Sequence, residues 1–328
     1  MTAAGVERPD RSRRAARGVA CPLCGCERSV PAGWPGRLRY RGGHFSYLEC
    51  RACGSLHCDP MPSEEHLAQM YGPDYAAAAG AAFEVATTRD VPRVLAILDG
   101  RETGTFVDFG CGDGELLRLA QDRGWRCLGV ELDPGVAGEV SRRLGIEVRT
   151  YDEVAAEPLS VGDVVHAGDV LEHLPELGRQ LPVLLSLVNH GGLVVAQGPL
   201  EANANVFTAL VRSWGRLRPR REKDLPPWHV LLATAAGQRA LFRRFDLEEL
   251  TFTVSEVDWP APSRLGAAEL SHPRAVALFC ARRVSSAVTR IGPAGWGNRY
   301  FYVGRRPSAR RVVRFGGDGS DGSTLCAG

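Results

Sequence analysis

A chain of 328 residues, 44% of them hydrophobic, can bury a large core together with a small second module. Its 40 basic and 38 acidic residues nearly cancel to a net charge of +2, which argues against nucleic acid or an anionic membrane as the partner. The sequence has no apolar run long enough for a transmembrane helix, and the basic N-terminus has no apolar signal core, so we expect a cytoplasmic protein. Residues 1–18 are polar, rich in arginine and aperiodic, and they predict a disordered leader.

Residues 19–60 contain two Cys-x-x-Cys-Gly repeats. Each repeat places two thiolates on one turn, and the glycine that follows can take the left-handed conformation that such a turn needs. In an intracellular enzyme this spacing indicates a metal site rather than disulfides. The segment resembles a zinc ribbon, which implies a closed, structural zinc site and a β-hairpin at Tyr40 to Leu48. The implied zinc ligands are Cys21, Cys24, Cys50 and Cys53.

Cys26 and Cys58 remain alternative ligands if one of these four cysteines is not a ligand. We expect the core of this ribbon to be separate from the core of the domain that follows. Residues 61–104 are predicted to connect the two through helices.

In this connection Ser63, followed by two glutamates, is typical of the start of a helix that ends near Tyr71, and residues 90–99 have the apolar spacing of a second helix. The stretch from Tyr71 to Tyr75 resembles the lead-in of methyltransferases that follow a zinc ribbon. In those proteins the second tyrosine often lies near the cofactor. An aromatic plug in a hinge is the other interpretation of Tyr75.

Residues 105–117 combine a short apolar strand, a glycine turn and a helical pattern, which is the opening of a nucleotide-binding βαβ unit. The dinucleotide fingerprint requires a third glycine where this chain has Glu115. The spacing Asp108-x-Gly110-x-Gly112-x-Gly114 instead resembles motif I of the class I S-adenosylmethionine (SAM) dependent methyltransferases. Their loop holds the methionine and ribose of SAM, so a side chain at Gly110 is expected to occupy cofactor space.

The next strand, Arg126 to Val130, is predicted to end at Glu131. An acidic residue roughly 20 positions after the glycine loop can accept both ribose hydroxyls, and Glu131 matches that position of the family. Asp133 is predicted to cap a helix over 135–144. After a third strand at 146–150, two interpretations of Asp152 stay open, a contact to the adenine amino group and a helix cap.

Asp163 to Pro175 resembles motif IV of the same family, a fourth strand followed by Gly168-Asp169-Val170-Leu171-Glu172-His173. Asn189 to Gly192 is predicted to end the next helix, and Leu193 to Gln197 is predicted to be the fifth strand. The motifs together imply a SAM site formed by Asp108, Gly110, Cys111, Gly112, Glu131, Leu132, Asp152, Asp169 and Tyr75.

The resemblance implies an α/β fold with a Rossmann-like, mostly parallel sheet of seven strands over residues 105–310. Residues 200–235 replace a simple helix and are expected to form an acceptor lid. Phe245 to Val254 and Ala275 to Ala281 are predicted to be strands six and seven, with a further strand around Tyr300 to Val303. Residues 311–328 are predicted to be a disordered tail.

Methyl transfer from SAM requires positioning, and it requires a base only if the acceptor must lose a proton. His173 and His229 are the catalytic candidates, with loop ordering as the alternative role of His173. A small-molecule acceptor, such as a sugar or secondary metabolite, is the first hypothesis. An RNA base methyltransferase with a zinc-binding recognition module and a non-catalytic SAM-fold protein are the alternatives.

Overall fold

The computed structural model describes residues 16–17, 19–71, 89–157, 159–217, 222–257, 265–266, 270–292 and 295–308. Within these residues the strands are β1 Ala16–Arg17, β2 Arg28–Pro31, β3 Leu38–Tyr40, β4 Gly43–Cys50, β5 Leu56–Asp59, β6 Thr105–Phe109, β7 Arg126–Glu131, β8 Glu147–Thr150, β9 Gly162–Gly168, β10 Val188–Pro199, β11 Lys223–Asp224, β12 Leu231–Leu232, β13 Glu248–Ser255 and β14 Arg299–Arg305. The helices are α1 Glu64–Met70, α2 over residues 89–99, α3 Glu115–Gln121, α4 Pro134–Leu144, α5 Tyr151–Ala156, α6 Leu177–Ser186, α7 Val206–Leu217, α8 Ala235–Arg244 and α9 Pro273–Ile291, with a 3₁₀ turn at Leu171–His173. None of these helices has the length and apolar character needed to cross a membrane.

The larger sheet has seven strands in the order β13-β14-β10-β9-β6-β7-β8. Strands β6 to β10 pair in parallel, whereas β14 pairs antiparallel with both β10 and β13. The side chains of the central strands are buried on both faces of the sheet, as in a parallel sheet covered by helices. Fully buried examples are Phe106, Val107, Val164 and Val165. The predicted α/β fold with a mostly parallel sheet of seven strands is confirmed.

The assignment of the seventh strand to Ala275–Ala281 is wrong. Those residues lie in α9, and the strand that closes the sheet is β14. Pro273 occupies the first turn of α9, where a missing backbone N–H leaves no hydrogen bond unmade. The buried face of this helix is polar, since Arg282 lies there and pairs with Glu256 at 2.6 Å. The sequence therefore lacks the apolar periodicity from which a helix is predicted.

The order of strands reverses between β6 and β9, which makes that point the topological switch of the sheet. The chain leaves β6 toward β7 on one side, while β9 and β10 lie on the other side. In open α/β sheets ligands bind outside the carboxyl ends of the strands at such a point. The loops that follow β6, β7, β9 and β10 therefore meet at one edge of the sheet.

Helix caps decide several local predictions. The Asp133 side chain accepts hydrogen bonds from the backbone of Gly135 and Val136, which confirms it as the cap of α4. Thr150 caps α5 through a capping box with Glu153, so the interpretation of Asp152 as the cap is wrong. Helix α6 ends at Ser186 and β10 already begins at Val188, so the assignment of Asn189–Gly192 to a helix end is also wrong.

The smaller sheet has seven strands and is built around the predicted hairpin of β3 and β4. Strand β1 pairs with β2, so the expectation of a disordered leader fails at residues 16–17. Two of its strands, β11 and β12, follow the strands of the parallel sheet in the chain. Strand β11 pairs with β3, and β12 pairs with β5.

The expectation of two separate cores is wrong. Leu23 and Leu56 of the N-terminal cysteine-rich segment belong to the same buried cluster as Leu231, Leu241 and Val107. Arg244 at the end of α8 donates to the carbonyl oxygens of Pro22 and Leu23 at 2.9 and 3.0 Å. Residues 229–244 thus pack on both sheets and join them.

Candidate functional site

The four predicted zinc ligands converge. The Sγ atoms of Cys21, Cys24, Cys50 and Cys53 all lie within 4.8 Å of one another, and among the described residues this group includes neither Cys26 nor Cys58. Cys21 and Cys53 are separated by 3.8 Å and Cys24 and Cys50 by 3.5 Å, sulfur to sulfur. Four thiolates at about 2.3 Å from a tetrahedral zinc ion lie roughly 3.8 Å apart, so the residues present fit the metal.

Local backbone geometry builds this arrangement. Gly25 and Gly54 have φ angles of 77° and 71°, the left-handed region that glycine enters without a steric cost. Their N–H groups donate to the carbonyl oxygens of Cys21 and Cys50 at 2.8 and 2.9 Å. Each turn brings its two thiols to the same side, as the repeat predicts.

The three glycines of the loop after β6 have different surroundings. A Cβ atom at Gly110 would lie 2.5 Å from Cγ2 of Val170, and one at Gly114 would lie 2.6 Å from Cγ1 of Val140. A Cβ atom at Gly112 would meet nothing within 4 Å. A Cβ atom at Gly110 would therefore first meet Val170 of the neighbouring loop, whereas Gly112 is the glycine whose Cβ would face open space.

Glu131 lies directly beside this open space. Its Oε2 accepts from the Gly112 N–H at 2.8 Å and its Oε1 accepts from the Leu132 N–H at 2.7 Å. Each carboxylate oxygen retains a second lone pair for another donor. The Leu132 side chain is 61% exposed, an apolar surface next to the carboxylate. The glycine loop, the carboxylate and the apolar surface thus lie side by side at the ends of β6 and β7.

Three of the predicted cofactor residues point elsewhere. The Asp108 carboxylate is buried and accepts from Nδ1 of His166 at 2.7 Å. The Cys111 thiol is buried behind the loop, and burial raises its pKa. Both carboxylate oxygens of Asp169 accept from Arg299, at 2.7 Å each. These side chains support the loops, so a SAM contact from them would have to come from the backbone. Asp152 is exposed at the first turn of α5, and Tyr75 lies outside the described residues.

His173 and His229 come from segments 56 positions apart and meet at this edge of the sheet. Their ring centroids are 4.9 Å apart, and the rings are nearly perpendicular. Nδ1 of His173 donates to the carbonyl oxygen of Trp228 at 2.9 Å, and Nδ1 of His229 donates to Oε2 of Glu201 at 2.7 Å. The hydroxyl of Tyr71 reaches the same Trp228 carbonyl at 2.8 Å.

Burial and neighbouring charge make the two imidazoles unlike. Burial, assisted by the positive charge of His229, lowers the pKa of His173 to about 3. Burial also acts to lower the pKa of His229, but the Glu201 carboxylate, with Glu172 and Asp169, outweighs it and raises this pKa to about 9. In this state His173 is neutral but weakly basic, and neither ring has the near-neutral pKa that suits a general base.

Glu172 completes the cluster, although the sequence did not predict it as a site residue. Its side chain is 5% exposed and its Oε1 lies 3.8 Å from Nε2 of His173. Burial, with the nearby Asp169 carboxylate, raises its pKa to about 8. Glu201 and Tyr71 were also missed. The position of Glu201, two residues after the end of β10, was the one available signal, because polar groups at strand ends face the ligand edge.

The predicted lid is attached to the N-terminal sheet. Strand β11 pairs with β3, an exposed ion pair at 2.7 Å joins Arg39 to Asp224, and a contact at 2.8 Å joins His44 Nδ1 to Glu222 Oε1. The Tyr47 hydroxyl donates to the His229 carbonyl oxygen at 2.7 Å. Residues 222–232 thus connect the cysteine-rich sheet directly to the histidine pair.

The profile of a family described as a methyltransferase domain matches residues 80–251. A trans-aconitate 2-methyltransferase of Methylobacterium nodulans is 30% identical over 177 residues, which cover 52% of this chain and 64% of that protein. A ubiquinone biosynthesis O-methyltransferase of Paraburkholderia xenovorans is 35% identical over 98 residues, which cover 27% of this chain and 42% of that protein. The chain thus spans less than two thirds of either relative.

Among solved structures, the complex of the Haloferax volcanii Trm112 methyltransferase activator with a putative methyltransferase aligns at a TM-score of 0.45 and 19% identity, covering 71% of this chain and 97% of that chain.

Proposed function

Because this chain belongs to the methyltransferase domain family, we propose that it transfers the methyl group of SAM to a small molecule held between the glycine loop and the histidine pair. The observation that carries this proposal is the Glu131 carboxylate bonded to the Gly112 N–H at 2.8 Å, beside the open space at Gly112. A carboxylate in that place accepts both ribose hydroxyls, and the glycine lets the cofactor approach the backbone.

Bound SAM supplies a methyl group already activated on a sulfonium centre. The chain has to hold the cofactor and the acceptor in line and to exclude water. In this proposal Gly112 and Glu131 hold the cofactor, with Leu132 and Asp152 on its adenine side. His173 and His229 face the acceptor, because the loops after β9 and β10 share the edge of the sheet with the loop after β6.

Two observations favour a small acceptor over RNA. The net charge is +2, and one exposed arginine of the hairpin, Arg39, is paired with Asp224 rather than available for phosphates. The relative named for trans-aconitate methylates a small molecule, and we propose the same broad class of acceptor, a cytoplasmic metabolite such as a sugar or secondary metabolite, for this chain.

The ribbon of residues 19–60 is proposed to hold one structural zinc ion on its four cysteines. All four coordination positions would be filled by thiolates, so the ion has no open position for a substrate. Its role is then to fix the turns on which β4, β5 and, through them, residues 229–232 are packed.

Calorimetry with S-adenosylhomocysteine tests the cofactor site. Glu131→Ala should weaken binding at least tenfold, because each charge-assisted hydrogen bond contributes roughly 1.5–3 kcal/mol. Glu139→Ala is the matched control, since that carboxylate is exposed on α4. Equal affinities for the two variants would place the ribose elsewhere. Transfer of labelled methyl groups from SAM to RNA, with none to extracted metabolites, would refute the small-molecule acceptor.

A further inference from the structure

We propose that Glu172, His173 and His229 form a binding site for a divalent transition-metal ion, distinct from the four-cysteine site. The nitrogen and oxygen donors of the three side chains lie within 4.8 Å of one another. A second part of the inference rests on the proposed function. In it, the ion would hold an oxygen atom of the acceptor where that atom can receive the methyl group. Metal binding itself does not depend on that function.

The spacing of the donors suits one small ion. Oε1 of Glu172 lies 3.8 Å from Nε2 of His173. A metal ion that holds nitrogen and oxygen donors at about 2.0–2.2 Å brings adjacent donors to roughly 3.0–3.5 Å. The Glu172–His173 pair would have to close by about 0.3–0.8 Å, and the widest pair of the group, at up to 4.8 Å, by as much as about 1.8 Å, through rotation of the side chains.

Both imidazoles are already oriented as metal ligands are. A ligating histidine donates its second ring N–H to a carbonyl or carboxylate, which fixes the tautomer and leaves the other nitrogen for the ion. Nδ1 of His173 donates to the Trp228 carbonyl, and Nδ1 of His229 donates to Glu201 at 2.7 Å. Nε2 of His173 therefore carries a lone pair, and Nε2 of His229 offers one once a bound ion has displaced its proton, as metal binding to histidine requires.

The charge around the cluster favours a cation. The Glu172 side chain is only 5% exposed, and a buried carboxylate is costly unless a cation or several donors compensate it. The buried Arg299, whose charge acts on Glu172, is already paired with Asp90 and Asp169 at 2.7 Å. A divalent ion would compensate the carboxylate that Glu172 presents once it is ionised as a ligand, which this arginine does not do.

Two neutral nitrogens with one carboxylate leave coordination positions open. In that respect the cluster differs from the closed thiolate site. Its open positions can bind the methyl acceptor. An acceptor hydroxyl on a divalent ion loses its proton more readily, as metal-bound water does. The proton would leave to solvent and the oxygen lone pair would attack the methyl carbon, with S-adenosylhomocysteine as the leaving group.

Cobalt titration of the full chain, with its zinc content measured first, tests the site. We expect Co²⁺ to be taken up as a second equivalent with weak d–d absorption and no thiolate-to-cobalt charge-transfer band, since the ligands are nitrogen and oxygen. Exchange into the ribbon would show the thiolate band. Cobalt uptake that gives only the thiolate band, or no uptake beyond one metal per chain, would overturn the site and leave the cluster as a metal-free charge network.

Variants separate the site from a folding defect. His229→Ala and Glu172→Gln should abolish the second equivalent, and Glu201→Gln, which keeps every proposed ligand, should weaken it about 10–100-fold. His190→Ala, an exposed histidine of β10, should change nothing. A second equivalent that survives in all of these variants would also overturn the proposal.

S-adenosylhomocysteine binding on the same preparations distinguishes the two proposals. Uptake of the second metal without cofactor binding would refute the methyltransferase function and keep the site. Cofactor binding with no second metal would refute the site and keep the function.

Discussion

The proposed cofactor side and the proposed acceptor side of this edge are built in different ways. On the cofactor side, Gly110 to Gly114 and Glu131 lie within 22 consecutive residues and on two adjacent strands, β6 and β7. On the acceptor side, Tyr71, His173, Glu201 and His229 come from four separate segments. The first side is determined by local backbone geometry and the second by long-range packing, so the two sides should respond differently to mutation.

The largest effect is expected from the cysteine-rich sheet, on which the acceptor side is packed. Cys50→Ser should remove the zinc ion and lower the melting temperature of the whole chain by about 10 °C or more, because the ribbon shares a core with β12 and α8. Metal analysis and calorimetric unfolding measure both. Cys280→Ser, on the exposed face of α9, is the control. Loss of zinc with an unchanged transition for the remaining chain would mean that the shared core contributes little.

The next effect concerns turnover. His173→Ala should lose about one to two orders of magnitude in kcat while the affinity for S-adenosylhomocysteine stays the same, because its ring positions the acceptor and its pKa of about 3 does not suit a general base. His173→Asn keeps a polar side chain without a basic ring nitrogen and should be similarly slow. His190→Ala serves again as the control. A loss confined to the KM of the acceptor would reduce His173 to a pocket residue.

The glycine loop gives an effect on the cofactor side alone. Gly112→Ala should weaken S-adenosylhomocysteine about tenfold or more, because its Cβ enters the open space and φ is 52° there. Gly110→Ala should instead lower stability, since its Cβ would lie 2.5 Å from Val170. Calorimetric binding and thermal unfolding of the two variants should give opposite rankings. The same ranking in both measurements would refute this division of roles.

The smallest effect is expected at the contact between the ribbon and the histidine pair. Tyr47→Phe removes the hydrogen bond to the His229 carbonyl and should cost about 0.5–1.5 kcal/mol of stability, with a few-fold loss of kcat. Cofactor affinity should not change. Tyr40→Phe, at the hairpin end, provides the control. Weaker cofactor binding in the Tyr47 variant would show that the two sides are coupled.

The sequence predicted the strands β6 to β10, the glycine loop, the Asp133 cap and the grouping of the four cysteines. In each case the residues that act together are close in the chain, or repeat a motif whose turn fixes their geometry. The α/β fold followed from the same motifs. The roles of Asp108, Asp169 and Gly110 did not, since their partners His166, Arg299 and Val170 lie 58, 130 and 60 positions away.

By itself, the sequence determined where a cofactor loop, an acidic strand end and two cysteine turns must form, because backbone conformation over a few residues depends on those residues. Only the tertiary structure decided that β12 joins the ribbon sheet, that α9 is a helix with a buried arginine, and that Glu172, His173 and His229 share one point. Those contacts join segments distant in the chain, and burial of a common core selects them. The pattern of neighbouring residues in the sequence does not specify those long-range contacts.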